Sequence, residues 1–344
     1  MSAVATHEEV VPFLAGDGLP LKLAHPTTDR APTKGPVLLV HGAGVRSSIF
    51  RPPTDRTLVD ALLDEGWDVW LEDWRASIDI PHNRWTLDEA AVFDHPAAVR
   101  TVLDRTGAHE VKAIIHCQGS TSFAMSAAAG LLPEVSTIVA NAVSLHPVVP
   151  RLAELKLRAA IPLTAHALGY LDPQWAREGA PGLLPKAFTA ASRLLHRDCG
   201  NDVCRMSNFT YGAANDTLWG HRHLDEPTHA WLADEFAQVP LTFFSQILES
   251  VKAGKLLATG DHPELPRCVA DGPPRTDARW VLLAGERNQC FAPESQRRTH
   301  AWLERHAPGR HALHVLPGYG HLDVFLGRDA PRETFPLILE ELAA

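Results

Sequence analysis

Cysteine is scarce, at five residues in 344. An odd count in so long a chain does not build a disulfide framework. A free reactive thiol fits a reducing cytoplasm better than a secreted setting, so the chain is expected to be cytoplasmic. Long apolar runs are also missing, and no stretch approaches the length of a membrane span. No dense basic cluster occurs. The chain carries 32 Lys and Arg against 41 Asp and Glu, a formal charge of −9, which argues against a nucleic-acid partner. No GxGxxG fingerprint is found, so no dinucleotide cofactor is expected. The opening stretch, MSAVATHEEVVPFLAG, lacks the basic start and apolar core of a signal peptide. No internal repeat is visible. By exclusion the partner is a small molecule, with homo-oligomerisation left open.

The hydrophobic share is 45%, ample for a sizeable core in one large domain with an insertion, or in two domains. Glu9 to His25 carries two apolar runs around Gly16-Asp17-Gly18, the signature of a β-hairpin. Buried strands are expected at Pro36–Val40, Asp68–Trp74, Val111–His116 and Val135–Ser144, with helices between them. Thr57 to Glu65 has helical periodicity and stops at Gly66. Thr86-Leu-Asp-Glu89 is a capping box that opens a helix toward Gly107, and Pro96 must kink or restart it. The alternation of strand and helix predicts a mostly parallel sheet covered on both faces. It lapses from His146 to about Asp277, a helix-rich stretch that reads as a cap, and resumes with strands at Trp280–Gly285 and His311–Leu316 and a last helix from about Pro331. The expected organisation is therefore core (1–145), helical cap (146–277), core (278–344). The functional site belongs at the carboxyl ends of the strands, under the cap.

Val111 to Gly130 organises the chemistry. An apolar strand runs into His116-Cys117-Gln118-Gly119-Ser120 and then into a Ser/Ala-rich helix. This is the pattern of a nucleophile elbow, usually G-x-S-x-G, with Ile115 in place of the first glycine and Cys117 in place of serine. The unpaired N–H groups and dipole of the helix start favour a thiolate at Cys117. The Gln118 N–H is placed to hold an oxyanion. The turn His41-Gly42-Ala43-Gly44 offers a second oxyanion donor, the Ala43 N–H. His321, in Gly318-Tyr-Gly-His-Leu-Asp323 after the last strand, is the expected general base. Asp323 is too near it in sequence to be the first choice of orienting partner. That partner is expected in the loop after Gly285: Asn288 first, its amide carbonyl accepting the imidazole N–H as in Cys-His-Asn sites, with Glu286 as the rival. Gly42, Gly44, His116 and Tyr319 are expected to border the substrate, and Cys290 to be structural. Ala160–Leu163, Ala167–Leu171 and Leu241–Phe244 either wall the acyl pocket or pack the cap's own core.

The sheet regions resemble the α/β-hydrolase superfamily, in particular its acid-lipase-like branch. The resemblance rests on Trp85–Val99, the elbow His116–Ser120 and the tail His321–Gly327. The chain is also similar to the hydrolase domain fused to some glucose-methanol-choline oxidoreductases. That domain shows a His-Cys-x-Gly-Ser elbow, a Cys-x4-Cys segment like Cys199–Cys204, and Tyr-Gly and Thr-His pairs like Tyr211-Gly212 and Thr228-His229. The resemblance implies the α/β-hydrolase fold, Cys117 as nucleophile and His321 as base. It does not imply redox chemistry, because the flavin-binding part is missing from this chain. Cys199 and Cys204 are read as structural and no metal is expected, since the x4 spacing lacks a second ligand pair nearby in sequence. Three activities fit: hydrolysis of an ester or thioester through a thioester on Cys117, acyl transfer on the same scaffold as in polyhydroxyalkanoate synthases, or non-catalytic binding.

Overall fold

The computed structural model describes residues 6–165, 167–197 and 199–344; the first five residues of the opening stretch lie outside them. Strand β1 (Thr6–Leu14) and strand β2 (Pro20–Thr28) form the expected antiparallel hairpin. Strands β3 (Pro36–Val40), β4 (Asp68–Asp73), β5 (Val111–His116) and β6 (Val135–Asn141) follow. Two-residue strands β7 (Tyr170–Leu171) and β8 (Val239–Pro240) pair antiparallel away from the main sheet. They are too short to leave an alternating signal in the sequence. Strands β9 (Arg279–Gly285) and β10 (Ala312–Leu316) complete the set. The main sheet has eight strands in the order β1-β2-β4-β3-β5-β6-β9-β10, parallel from β4 to β10. β3 is apolar and buried at all five positions, as a strand covered on both faces must be.

The register sets the position of the loops. Val40 pairs with Ile115, His116 with Asn141, Asn141 with Leu283, and Gly285 with Leu316. The loops leaving β3, β5, β9 and β10 therefore emerge side by side at one edge. The expected capping box forms at Thr86 with Glu89, and a second one, not read from the sequence, at Thr57 with Asp60. Pro96 acts as expected: the chain widens into a π turn at Ala90–Asp94 and restarts as helix α1 (His95–Thr106), with the proline in its first turn. There its missing N–H costs nothing. Helix α2 (Cys117–Ala128) follows β5 directly and is buried along its whole length. Between β6 and β9 the chain is mainly helical, with α3 (Arg151–Thr164), α4 (Leu183–Leu195), α5 (Asp202–Tyr211), α6 (Glu226–Trp231) and α7 (Leu241–Ala253). No helix among the described residues is long and apolar enough to cross a membrane.

Candidate active site

Cys117 stands at the junction of β5 and α2 with φ at +56°. That left-handed conformation costs a non-glycine residue about 1–2 kcal/mol and persists only where the surroundings impose it. Two close approaches impose it here. A Cβ on Gly119 would lie 2.0 Å from the His41 carbonyl oxygen, and one on Gly42 would lie 2.9 Å from the Cys117 Cβ. The end of β3 is thus pressed against the elbow. Ile115 is fully buried, paired with Val40 and Ala140 in the middle of the sheet.

The Cys117 sulfur and one ring nitrogen each of His116 and His321 lie within 4.8 Å of one another, all buried. Burial pushes the Cys117 thiol pKa up. A hydrogen bond from Cys290, the His321 ring beside the sulfur and the Gln118 N–H outweigh burial, and hold the thiol well below its ordinary range. The Cys290 bond is the largest of the lowering effects and does not depend on the charge of His321. The same bond and its burial push Cys290 well above its usual range, so it stays a protonated donor. Sequence reasoning took Cys290 as structural; only the fold of the β9 loop brings it to Cys117.

Asn288 does meet His321, with the polarity opposite to the expectation. Its Oδ1 accepts the N–H groups of Cys290 and Phe291 at 3.0 and 3.1 Å. The amide nitrogen is left facing Nδ1 of His321 at 3.0 Å. The orientation is fixed by the two backbone donors, since turning the amide over would set N–H against N–H. Nδ1 then accepts, and the ring proton sits on Nε2. Nε2 has no partner in hydrogen-bond geometry among the described residues, which leaves it for the Cys117 sulfur, with which the ring interacts.

Other expectations are corrected by the geometry. Glu286 is exposed and accepts the Gly318 N–H at 2.9 Å, so it braces the neighbouring loop instead of the imidazole. Tyr319 is buried, but its hydroxyl donates to Glu333 at 2.6 Å and its ring stacks on His223, which turns it away from Cys117. Gly44 lies under Tyr211, where a Cβ would sit 2.4 Å from the hydroxyl, and its N–H goes to Ala76. His116 packs behind the site against His321 and Phe325, and its Nδ1 accepts from Asn141 at 2.9 Å. Burial holds it well below its usual pKa, hence neutral. Gly42 lies on Cys117 as expected, followed by Ala43, whose carbonyl accepts the Tyr211 hydroxyl at 2.7 Å. Asp323 accepts the Gly320 N–H and faces the insert. A Glu72–His95–Ser122 chain, with contacts of 3.0 and 2.7 Å, has the composition of a catalytic triad. It is wholly buried, running from β4 to Ser122 of α2, so it is a core network.

A narrow pocket borders the sulfur side of the site. Gln118, Cys290, Lys156, Tyr211, Phe243 and Phe244 contribute to its wall. Its free space is about 30 Å³, room for one or two waters. Of the three apolar segments singled out in the sequence, only Leu241–Phe244 reaches it; Leu163 is exposed. Lys156 escaped the sequence reading, and Tyr211 entered it only through the family resemblance, because both lie far from the elbow in the chain.

Residues 35–327 match the model of the alpha/beta hydrolase fold family. The chain belongs to that family. Across 99 residues this α/β-hydrolase is 33% identical to the poly(3-hydroxyalkanoate) polymerase subunit PhaC of Haloferax mediterranei, a match covering 29% of this chain and 20% of the relative. It is 28% identical over 98 residues to sterol esterase 2 of Saccharomyces cerevisiae, covering 25% and 18%. The chain thus spans about a fifth of the length of the curated relatives it matches. Its fold is similar to that of a monoacylglycerol lipase from Paleococcus ferrophilus, at a TM-score of 0.54 and 15% identity, over 98% of this chain and 99% of that one.

Proposed function

We propose that this α/β-hydrolase cleaves a carboxylic ester or thioester through an acyl thioester on Cys117. The observation that carries the reading is the cysteine held at positive φ, its thiol pKa depressed, beside the histidine that follows the last strand. The thiolate attacks the acyl carbonyl, and the negative charge that develops on oxygen is held by the Gln118 N–H and the Ala43 N–H. Collapse forms the acyl–sulfur bond and breaks the bond to the leaving group. Water then attacks the thioester; the carboxylate departs and the Cys117 thiolate returns as one proton of the water passes to the leaving-group anion and the other to solvent. The helices between β6 and β9 act as a cap over this chemistry, and the cap moves to admit substrate because the pocket as it stands holds only water-sized groups. We further infer that the chain sits in the acid-lipase-like branch, from its Trp85–Val99 and His321–Gly327 motifs.

The Asn288 geometry supports a preference for thioesters. An Nδ1 that accepts from the Asn288 amide N–H is not open to a second ring proton, so the ring has no imidazolium proton to give an alkoxide leaving group. A thiolate leaves with little protonic help. A second reading, acyl transfer, draws on the similarity to a polyhydroxyalkanoate polymerase subunit and on the reactivity of thioesters toward alcohols, amines and thiols. The test is intact-mass detection of an acyl-enzyme formed from an activated acyl donor. Hydrolysis expects the adduct on Cys117 to decay in buffer at least as fast as turnover. It expects no adduct and no turnover in the Cys117→Ala variant. An adduct that persists until an alcohol, amine or thiol is added would establish transfer. Full turnover by the alanine variant would remove Cys117 from the mechanism.

A further inference from the structure

Cys199 and Cys204 are joined in space by the second ligand pair that the sequence did not reveal. Cys199 precedes α5 and Cys204 lies in its first turn; His221 sits in a 3-10 turn, His221–His223, and His229 in α6. One donor atom from each of the four lies within 4.8 Å of all the others. Two contacts are closer still: Cys199 Sγ to His229 Nε2 at 3.3 Å and Cys204 Sγ to His221 Nε2 at 3.4 Å. Zinc–sulfur bonds near 2.3 Å and zinc–nitrogen bonds near 2.0 Å set tetrahedral ligand–ligand separations of roughly 3.3–3.8 Å. A contraction of a few tenths of an ångström to about 1 Å in the longest pairs is all that separates the cluster from that geometry.

From this cluster we propose that Cys199, Cys204, His221 and His229 form a structural zinc site. The surroundings are those of a metal site as well. Asp216 holds Nδ1 of His221 at 2.7 Å, which turns Nε2 toward the sulfurs, the carboxylate–histidine arrangement that orients zinc ligands. Cys199 Sγ accepts the Asn201 N–H at 3.3 Å, and Cys204 Sγ faces the Asn208 amide at 3.5 Å. Such donors stabilise thiolates. Two sulfurs and two imidazoles select zinc over magnesium or calcium. Four protein donors fill a tetrahedral shell, so the ion braces the fold and does no chemistry. What it braces is the roof of the active site. α5 ends at Tyr211, which bonds to Ala43, and the turn after His221 carries His223, which meets the Gly318 carbonyl at 3.1 Å in the loop leading to His321.

The test uses the full chain purified from zinc-containing medium. Elemental analysis should find one zinc per chain, falling to a trace in Cys199→Ser and Cys204→Ser and persisting in Cys117→Ala. The last variant separates this site from the His116–Cys117–His321 group, the other cluster of donors close enough to hold a metal among the described residues. Cobalt added to the chelated wild-type protein should give the intense visible bands of a tetrahedral site and the near-ultraviolet charge transfer of thiolate ligands. Chelation should lower the apparent Tm by roughly 5–10 °C, restored by zinc. The wild-type cobalt spectrum does not depend on any variant folding. Wild-type protein with neither zinc nor cobalt bands would overturn the proposal, as would a Cys199–Cys204 disulfide in protein purified under reducing conditions, or unchanged metal content in Cys199→Ser.

Discussion

Two residues beside the Cys117–His321 pair decide how it behaves. Cys290 supplies the largest effect lowering the Cys117 thiol pKa. A thiol with a depressed pKa remains a thiolate below the usual range and loses its charge only as pH falls through the lowered value. Alkylation mapped to Cys117 is therefore expected to run at a constant rate from pH 8 down to pH 6. In Cys290→Ala the rate should fall about tenfold per pH unit below a raised pKa, and Cys290→Ser, which keeps a donor, should lie between the two. Equal profiles for wild type and the alanine variant would remove Cys290 from the site. Asn288 sets the ring proton of His321 by donating to Nδ1. An aspartate there accepts from Nδ1 with one oxygen and from the Cys290 and Phe291 N–H groups with the other. Asn288→Asp is thus expected to favour the imidazolium and to raise kcat/KM for alkyl esters relative to thioesters by at least tenfold. Glu286→Gln should leave that ratio within twofold, because Glu286 braces Gly318. A ratio unmoved by Asn288→Asp would refute the tautomer argument.

At the scale of one element, α3 sets a half-buried lysine over the pocket. Lys156 Nζ donates to the Phe209 and Gly212 carbonyls and lies 4.7 Å from the Phe209 ring centroid. Burial brings its pKa down from 10.5 to about 7, opposed by the attraction of Cys290. A neutral amine has the two protons those carbonyls need. Between pH 7 and about 10.5 the folded state holds Lys156 neutral while the unfolded chain still binds its proton. The unfolded state binds more protons there, so stability rises with pH, by about 1.4 kcal/mol per unit for one such group. Denaturant unfolding of wild type and Lys156→Met from pH 7 to 10 checks this. The difference in ΔG between them is expected to change with that slope, and parallel curves would show that Lys156 is charged in the fold.

The whole molecule closes its site. The apolar wall from α7 and the elbow from β5 enclose space for one or two waters, so the proposed function requires the helices between β6 and β9 to shift against the sheet. Once open, Phe243, Phe244 and Ile247 offer an acyl chain apolar cover. Each methylene buried there contributes about 0.8 kcal/mol, roughly fourfold in kcat/KM. A graded series of acyl thioesters should climb by that step from acetyl and then break at the length the pocket admits, with Phe244→Ala moving the break to longer chains. A flat series would argue that the acyl group lies elsewhere.

Much of this was legible in the sequence because it is local. Period-two and all-apolar runs give the strands, the capping box at Thr86 gives a helix start, and Pro96 gives a break, each within one or two turns of chain. The elbow was readable at Cys117 despite the missing first glycine, since Gly119 is the position where a side chain has no room. Asn288 was found by counting from the end of β9. The polarity of its amide was not, because two backbone N–H groups of the folded loop decide it. Glu286 and Tyr319 look functional in sequence for the same reason that Asn288 does, their place beside strand ends, and only the direction of each side chain tells them apart. Cys290, Tyr211 and Lys156 reach the site from loops and helices whose placement is a matter of packing. The pairing of Cys199 and Cys204 with His221 and His229 was invisible along the chain for a like reason: four donors on separate turns become one cluster only when the insert folds back on itself. The sequence by itself determined the strands of the main sheet, their parallel order and the cysteine–histidine pair, all written in short-range pattern. Tertiary structure alone decided which neighbours touch that pair, because hydrogen-bond direction and burial depend on groups far apart in the chain.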